Sequence, residues 1–333
     1  MMKVMKSGLL TSIQDLGRYG NQKHGVIASG VMDPEAHRIA NLLVGNEENA
    51  STMEITIMGP VLEFQEDALI SICGADLTPM IDGVPVGMWR PIFIKRGSEL
   101  RFGQIKHGCR SYLAVAGGYD VPEVMGSAST YLRAGIGGYK GRQLEKEDVI
   151  SFLAPSEQAE FMIAELRETS NEQNFSAMDW YVATEFVPVV QPEEPIRIVK
   201  GREYDRFTTE SQQDLEASSF KVDTKSDRMG YRLTGQTLQM NDKEDMISEA
   251  VAFGTIQVPA EGNPIILLAD RQTTGGYPKI AQIATVDLPK IAQTKPGESI
   301  TFTLISLEEA QRLYLERERN IQYLKTGIKY KFC

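Results

Sequence analysis

The chain has 333 residues, 42% hydrophobic and 24% charged, an ordinary globular composition with length enough for two domains. A formal net charge of −10 argues against nucleic acid as a partner, because phosphate binding needs a basic face, and no apolar run approaches the ~20 residues that cross a bilayer. The opening MMKVMKSGLLTSIQ has too short an apolar core for a signal peptide. Cys73, Cys109 and Cys333 and the histidines His24, His37 and His107 are scattered without paired spacing, which predicts reduced thiols in the cytoplasm and no metal site.

In chain order, a first polar cluster, SIQDLGRYG (12–20), carries Gln14, Asp15 and Arg18, and ASGVMD (28–33) ends on Asp33. DPEAHRIANLLVG reads as a helix with Asp33 as N-cap, Pro34 at the first helical position and Gly45 just past the end. Its apolar residues Ala36, Ile39, Ala40 and Leu43 share one face. ALISIC (68–73) reads as a buried strand with Cys73 in the core. MIDGVPV carries an Asp82-Gly83 hairpin turn, and IFIKRGSELRF (92–102) reads as a second hairpin around Gly97. Cys109, in KHGCRSY, is read as a hairpin residue rather than an activated thiol. GGYKGR (137–142) is a basic Gly-rich loop, suited to a phosphate or to an ordinary surface turn. AELRETSNEQNFSAMDW (164–180) is polar and partly helical, and VPVVQPEEP (187–195) reads as a linker. TTESQQDLEASSF (208–220) predicts a helix with a Thr209/Gln212 capping box, PIILLA (264–269) a strand, and SLEEAQRLYLERERNIQYL a charged C-terminal helix.

An internal echo organises these elements. MEITIMGPVLEFQEDALISICGAD and SEAVAFGTIQVPAEGNPIILLAD align Glu54 with Glu249, Gly59 with Gly254 and Asp76 with Asp270. KRGSELRF (95–102) matches KPGESITF (295–302), and QDLGRYG loosely matches DRMGYRL (227–233). Three pairs in one order point to duplication: a domain over 1–120, a connector over 121–195, a related domain over 196–310 and a C-terminal helix and tail over 311–333. The strand-rich pattern with few helices favours two antiparallel barrels over a parallel α/β sheet.

The densest polar segment is DRQTTGGYPK (270–279), which follows a buried strand. Gly275 and Gly276 allow backbone N–H groups to converge on an anion, and Arg271 or Lys279 supplies charge. Gln272 and Thr273 suit an amide or carbonyl, so the segment reads as the wall of a pocket for a small polar molecule, completed by KSDRMGYRL (225–233). No GxxxxGK[ST] loop is present to hold ATP in the Walker manner, and no GxSxG accompanies a histidine for serine hydrolysis.

LLTSIQDLGRYG, ASGVMDPEAHRIANLLVGN, MEITIMGP, AVAGGYDVPEVMGSASTYLRAGIGG, SDRMGYRL and ISEAVAFGTIQVPAEGNPIILLADRQTTGGYPKIA together resemble the biotin-dependent carboxyltransferase-like family that includes KipA, the 5-oxoprolinase C subunit and allophanate hydrolase subunit 2. The resemblance runs from about residue 7 to 310. It implies a mainly β fold of two tandem cyclophilin-like β-barrels, with a KipI-like 5-oxoprolinase B subunit and an A subunit as partners. It also implies a reaction: ATP-dependent opening of 5-oxoproline to L-glutamate, or carboxyl transfer from biotin to urea or a related small amide. A third role attached to the family is regulatory, the relief of KipI inhibition of a sporulation kinase. The chain has no Met-Lys-Met biotin-attachment motif, which favours the 5-oxoprolinase role, with ATP bound by or shared with a partner and little activity for the chain alone. On that reading Arg228, Arg232 or Arg271 would clamp the substrate carboxylate. Asp227 or Asp270 would accept from the ring N–H or steer water, with Lys279 beside them, and the Gly275–Gly276 amides would meet the developing oxyanion. Gln14, Asp15, Arg18 and Asp33 form the secondary candidate cluster.

Overall fold

The computed structural model describes residues 1–170, 173–184, 187, 194–242 and 246–332. Its chain divides into two compact units, one of Met1–Arg18, Asp33–Pro188 and Arg319–Cys333, the other of Tyr19–Met32 and Val189–Glu318. The linker predicted over 187–195 lies largely outside the described residues.

The first unit holds strands Met2–Lys6 (β1), Leu10–Gln14 (β2), Thr52–Thr56 (β3), Val61–Phe64 (β4), Ala68–Asp76 (β5), Pro79–Ile81 (β6), Val84–Pro85 (β7), Ile92–Ile94 (β8), Glu99–Phe102 (β9), His107–Val115 (β10), Val149–Ile150 (β11) and Phe175–Ala177 (β12). They form two six-stranded sheets, ordered β11-β1-β4-β9-β6-β7 and β12-β8-β5-β10-β3-β2. In β1, Met2 and Val4 are buried while Lys3 pairs outward with Glu147, the period of two expected of a half-buried strand. Met2, Val4, Leu62, Phe64 and Leu100 from the first sheet share one core with Ile13, Met53, Ile55, Ile70, Ile72 and Leu113 from the second.

Helix Pro34–Leu43 (α1) forms as its sequence predicts: Asp33 Oδ1 accepts from the Ala36 N–H at 3.0 Å, and Gly45 follows the end with φ +71°. It buries Ala36, Ile39, Ala40 and Leu43 and packs on β5 and β10. Asp82 and Gly83 (φ +49° and +81°) make the predicted two-residue turn between β6 and β7. IFIKRGSELRF is not a hairpin. Its two strands, β8 and β9, lie in different sheets, and Gly97 (φ +88°) donates to the Phe64 carbonyl at 2.7 Å to turn the corner between them. A second helix, Glu157–Thr169 (α2), starts at Ser156, whose hydroxyl accepts from Ala159 N, and accounts for the predicted partial helicity.

His37, buried on α1, holds Thr52 Oγ1 at 2.8 Å through Nδ1. Burial drives its pKa down from 6.5 to about 4, only partly opposed by the charge of Asp15. A histidine that is harder to protonate when folded stabilises the fold fully above its unfolded pKa and loses that contribution as pH falls towards the folded value. Stability should therefore decline by on the order of 3 kcal/mol between pH 6.5 and 4 on account of His37 alone. Urea denaturation against pH checks this: His37→Gln should flatten that limb, and an unaltered slope would contradict it.

The second unit holds Ile196–Lys200 (β13), Phe220–Val222 (β14), Gly230–Thr234 (β15), Glu249–Ala250 (β16), Thr255–Gln257 (β17), Ile265–Leu267 (β18), Thr274–Gly275 (β19), Lys279–Ile283 (β20), Ser299–Ile300 (β21) and Phe302–Leu304 (β22). Eight of them form one sheet, β21-β14-β15-β18-β17-β20-β13-β22, and β16 pairs only with β19. Its edge strands β21 and β22 are separated by Thr301 alone, so the sheet curls back on itself as a nearly closed barrel. Phe207, Phe220, Tyr231, Ile256, Ile266 and Phe302 fill it.

Helix Thr209–Ala217 (α3) corrects the predicted capping box: Thr208, not Thr209, is the cap, accepting from Ser211 N at 3.1 Å. Gln212 instead donates to the carbonyls of Tyr204 and Phe207, because its side chain meets the preceding 3₁₀ turn. Helices Leu288–Gln293 (α4) and Leu307–Lys331 (α5) follow, and among the described residues no helix is long and apolar enough to cross a membrane.

The strands that carry the sequence echo pair differently in the two units. Glu54 is buried in mid-sheet β3, whereas Glu249 is part-exposed in the two-stranded β16–β19 ladder. The strands that follow, β4 and β5, belong to separate sheets, while their counterparts β17 and β18 pair directly. Glu54 and Glu249 therefore sit in different ladders, although both follow the same pattern of apolar runs bounded by Gly and Asp.

Candidate functional site

The register of two strands in the second unit creates a buried polar network. β15 and β18 pair Gly230 with Leu267, and the ladder runs on past both strands: Leu268 N donates to Met229 O at 3.0 Å and Asp270 N to Arg228 O at 2.8 Å. Arg228 and Asp270 thus emerge side by side at the strand ends, each only 5% exposed. Arg228 Nε donates to Asp270 Oδ2 at 3.0 Å and Nη2 to Oδ1 at 3.2 Å, a forked pairing.

The rest of the network comes from Tyr19–Met32, the segment that follows β2 and packs in the second unit. Ser29 Oγ donates to Asp270 Oδ1 at 2.7 Å, and the Gly30 carbonyl accepts from Arg228 Nη2. Ser29 holds φ +55°, a conformation that non-glycine residues rarely adopt and that recurs at functional sites.

Arg271 points elsewhere. Its Nη1 donates to Leu268 O at 3.3 Å and its Nε to Val251 O at 3.4 Å, and its guanidinium carbon lies 5.8 Å from the Phe253 ring centre. Burial lowers its pKa, and a hydrogen-bonded Tyr19 phenol partly restores it.

The other predicted residues disperse. Asp227 is exposed and accepts from Met229 N at 2.8 Å, holding the turn before β15. Arg232 alternates with the core residues Tyr231 and Leu233 and so faces outward. Gln272 is exposed, and the Thr273 carbonyl accepts from Val251 N. Gly275 is paired with Glu249, and neither it nor Gly276 has the left-handed φ that a backbone anion nest requires. A Cβ on Gly275 would sit 2.6 Å from Gln257 Nε2, so that glycine serves close packing. Lys279 Nζ lies 3.3 Å from Glu249 Oε2, while Arg202 Nη1 holds Oε1 at 2.5 Å. Arg202 first and Lys279 second hold the Glu249 carboxyl below its ordinary range. Lys279 therefore belongs to a separate charge cluster. A cavity of about 440 Å³ adjoins the segment, but of residues 270–279 only Gly276, Tyr277 and Pro278 line it, with Met240, Met246 and Pro259 among the others. The expected pocket joining Asp227, Arg228, Asp270, Arg271, Gln272 and Lys279 is thus divided, because successive side chains of an extended segment point to opposite faces.

The secondary cluster is a loop clamp in the first unit. Asp15 accepts from Ser127 Oγ at 2.7 Å, Ala128 N at 2.7 Å and Gly17 N at 2.8 Å, and Arg18 donates to the carbonyls of Val124 at 2.7 Å and Ser129 at 2.8 Å. Gln14 Nε2 reaches Thr130 O at 3.1 Å, and Asp33 caps α1. Among the described residues no group of three or more His, Cys, Asp and Glu gathers as a metal site.

The chain belongs to the carboxyltransferase domain family, subdomains A and B, whose model matches residues 24–304. Over 324 residues it is 38% identical to the 5-oxoprolinase C subunit of Escherichia coli, covering 97% of both chains. It is 36% identical to the corresponding C subunit of Haemophilus influenzae, covering 97% of this chain and 96% of that one. Its fold matches the urea carboxylase of Kluyveromyces lactis with a TM-score of 0.86 and 29% identity over 98% of this chain, which spans 29% of that protein.

Proposed function

We propose that the chain is the C subunit of an ATP-dependent 5-oxoprolinase, opening 5-oxoproline to L-glutamate together with a KipI-like B subunit and an A subunit. The observation that carries this reading is the end-to-end match to the E. coli protein: 97% of each chain aligns, whereas the urea carboxylase is matched over only 29% of its length. Carboxyl transfer to urea or a related small amide is the second reading, supported by the shared fold.

A lactam carbonyl is a poor electrophile because amide resonance feeds it electrons. Phosphorylation of its oxygen by ATP would give an imidate-like phosphate, which water then attacks. In this chain Arg228 and Ser29, both donating to Asp270, pin the Tyr19–Met32 segment to the ends of β15 and β18, so the groups around the site are held in place before substrate arrives. With both carboxylate oxygens engaged, Asp270 acts as a positioning group rather than as the base. The test is reconstitution by omission: glutamate release should require all three proteins and ATP. Robust ATP-dependent turnover by the purified chain alone would overturn the shared-site reading.

A further inference from the structure

Three arginines were candidates for a substrate anion, and the structure distinguishes them. Arg228 is saturated by Asp270 and the Gly30 carbonyl, and Arg232 lies on the outward face of β15. Among the described residues Arg271 takes part in no ion pair, and all its hydrogen-bond partners are neutral: two long contacts to carbonyls, at 3.3 and 3.4 Å, and the Tyr19 phenol. Such a desolvated cation is costly unless an anion meets it, and a guanidinium fork matches a carboxylate or a phosphate in two parallel hydrogen bonds. The side chain is not sealed in. Arg271 is part-exposed, and Tyr19 is 61% exposed beside it.

We propose that Arg271, flanked by the Tyr19 phenol, is the subsite for the substrate carboxylate and makes the site select an anionic cyclic amide over a neutral one. This rests on the 5-oxoprolinase reading and adds to it the residues that set specificity. The Phe253 ring lies 5.8 Å from the guanidinium carbon, within cation–π reach, while Tyr19 offers a hydroxyl beside the same fork. The depressed basicity of Arg271 is what an unpaired, partly desolvated guanidinium should display. A γ-phosphate would present the same oxyanion chemistry, so the two sources must be separated by experiment.

The experiment is calorimetric binding to the assembled three-protein complex, titrated in turn with 5-oxoproline, its neutral carboxamide and ATP. The native complex should bind the acid at least tenfold tighter than the carboxamide. Arg271→Gln should erase that preference with ATP affinity unchanged, Arg271→Lys should restore part of it, and Tyr19→Phe should narrow it severalfold. A preference that survives Arg271→Gln overturns the proposal, and so does a loss confined to ATP. If Arg271→Gln fails to fold, exposed Tyr19 decides: an unaltered preference in Tyr19→Phe counts against the subsite. Turnover of the native complex is read separately. An inactive complex that still prefers the acid refutes the enzyme assignment, and an active one without the preference refutes the subsite.

Discussion

Asp270→Ala is expected to lower turnover of the assembled complex by about two orders of magnitude and to destabilise the chain by about 3–5 kcal/mol. Asp270 and Arg228 are each 5% exposed, so truncating one leaves the other as a buried, uncompensated charge. An exposed pair would contribute only about 0–1 kcal/mol. Stability and catalysis are separable: Asp270→Ala combined with Arg228→Met should recover most of the stability, because no buried charge remains, while turnover stays low. Turnover within about twofold of the parent for Asp270→Ala would place the site elsewhere.

Gly137→Ala is expected to cost at least about 3 kcal/mol, the sum of backbone strain and overpacking. Its φ is +69°, and an added Cβ would lie 2.0 Å from the Ser129 carbonyl oxygen and 2.7 Å from Arg18 Nη2. Arg18 and Asp15 bind the loop over 124–129 there, so the new methyl group strikes a clamp that has no room to yield. Gly135→Ala is the control: φ is +64° but no atom lies within 4 Å of the added Cβ, so it should cost only about 1–2 kcal/mol. Denaturation midpoints of the two variants measure the difference, and equal midpoints would show that the close approach is not a constraint.

Local signals in the sequence suffice where one rule decides the outcome. Asp33-Pro34 starts α1 and Asp82-Gly83 closes a hairpin because a cap and a left-handed pair act within a few residues. The hairpin expected around Gly97 failed because pairing is a long-range choice: Ile92–Ile94 is wholly buried and pairs with β5 and β12, leaving β9 to the other sheet.

For the site, Asp270 and Arg228 were legible as acid and base types at the ends of apolar runs, but their partners were not. Tyr19, Ser29 and Gly30 lie some 200 residues or more before Arg228 and Asp270, between strands of the other unit. The available signal was the aperiodic stretch from Asp15 to Asp33, longer than most connections and therefore a candidate for function. Lys279 was grouped with Asp270 by proximity in sequence, yet its partner Glu249 lies across the β16–β19 ladder.

The central claim, a 5-oxoprolinase component rather than a carboxyltransferase, is tested most directly by one substrate competition. The complex reconstituted with this chain is given ATP and 5-oxoproline, or carboxybiotin and urea, and glutamate and carboxyurea are quantified in parallel. The expected result is ATP-dependent glutamate, lost when this chain is omitted, and no carboxyurea. Carboxyurea without glutamate would contradict it.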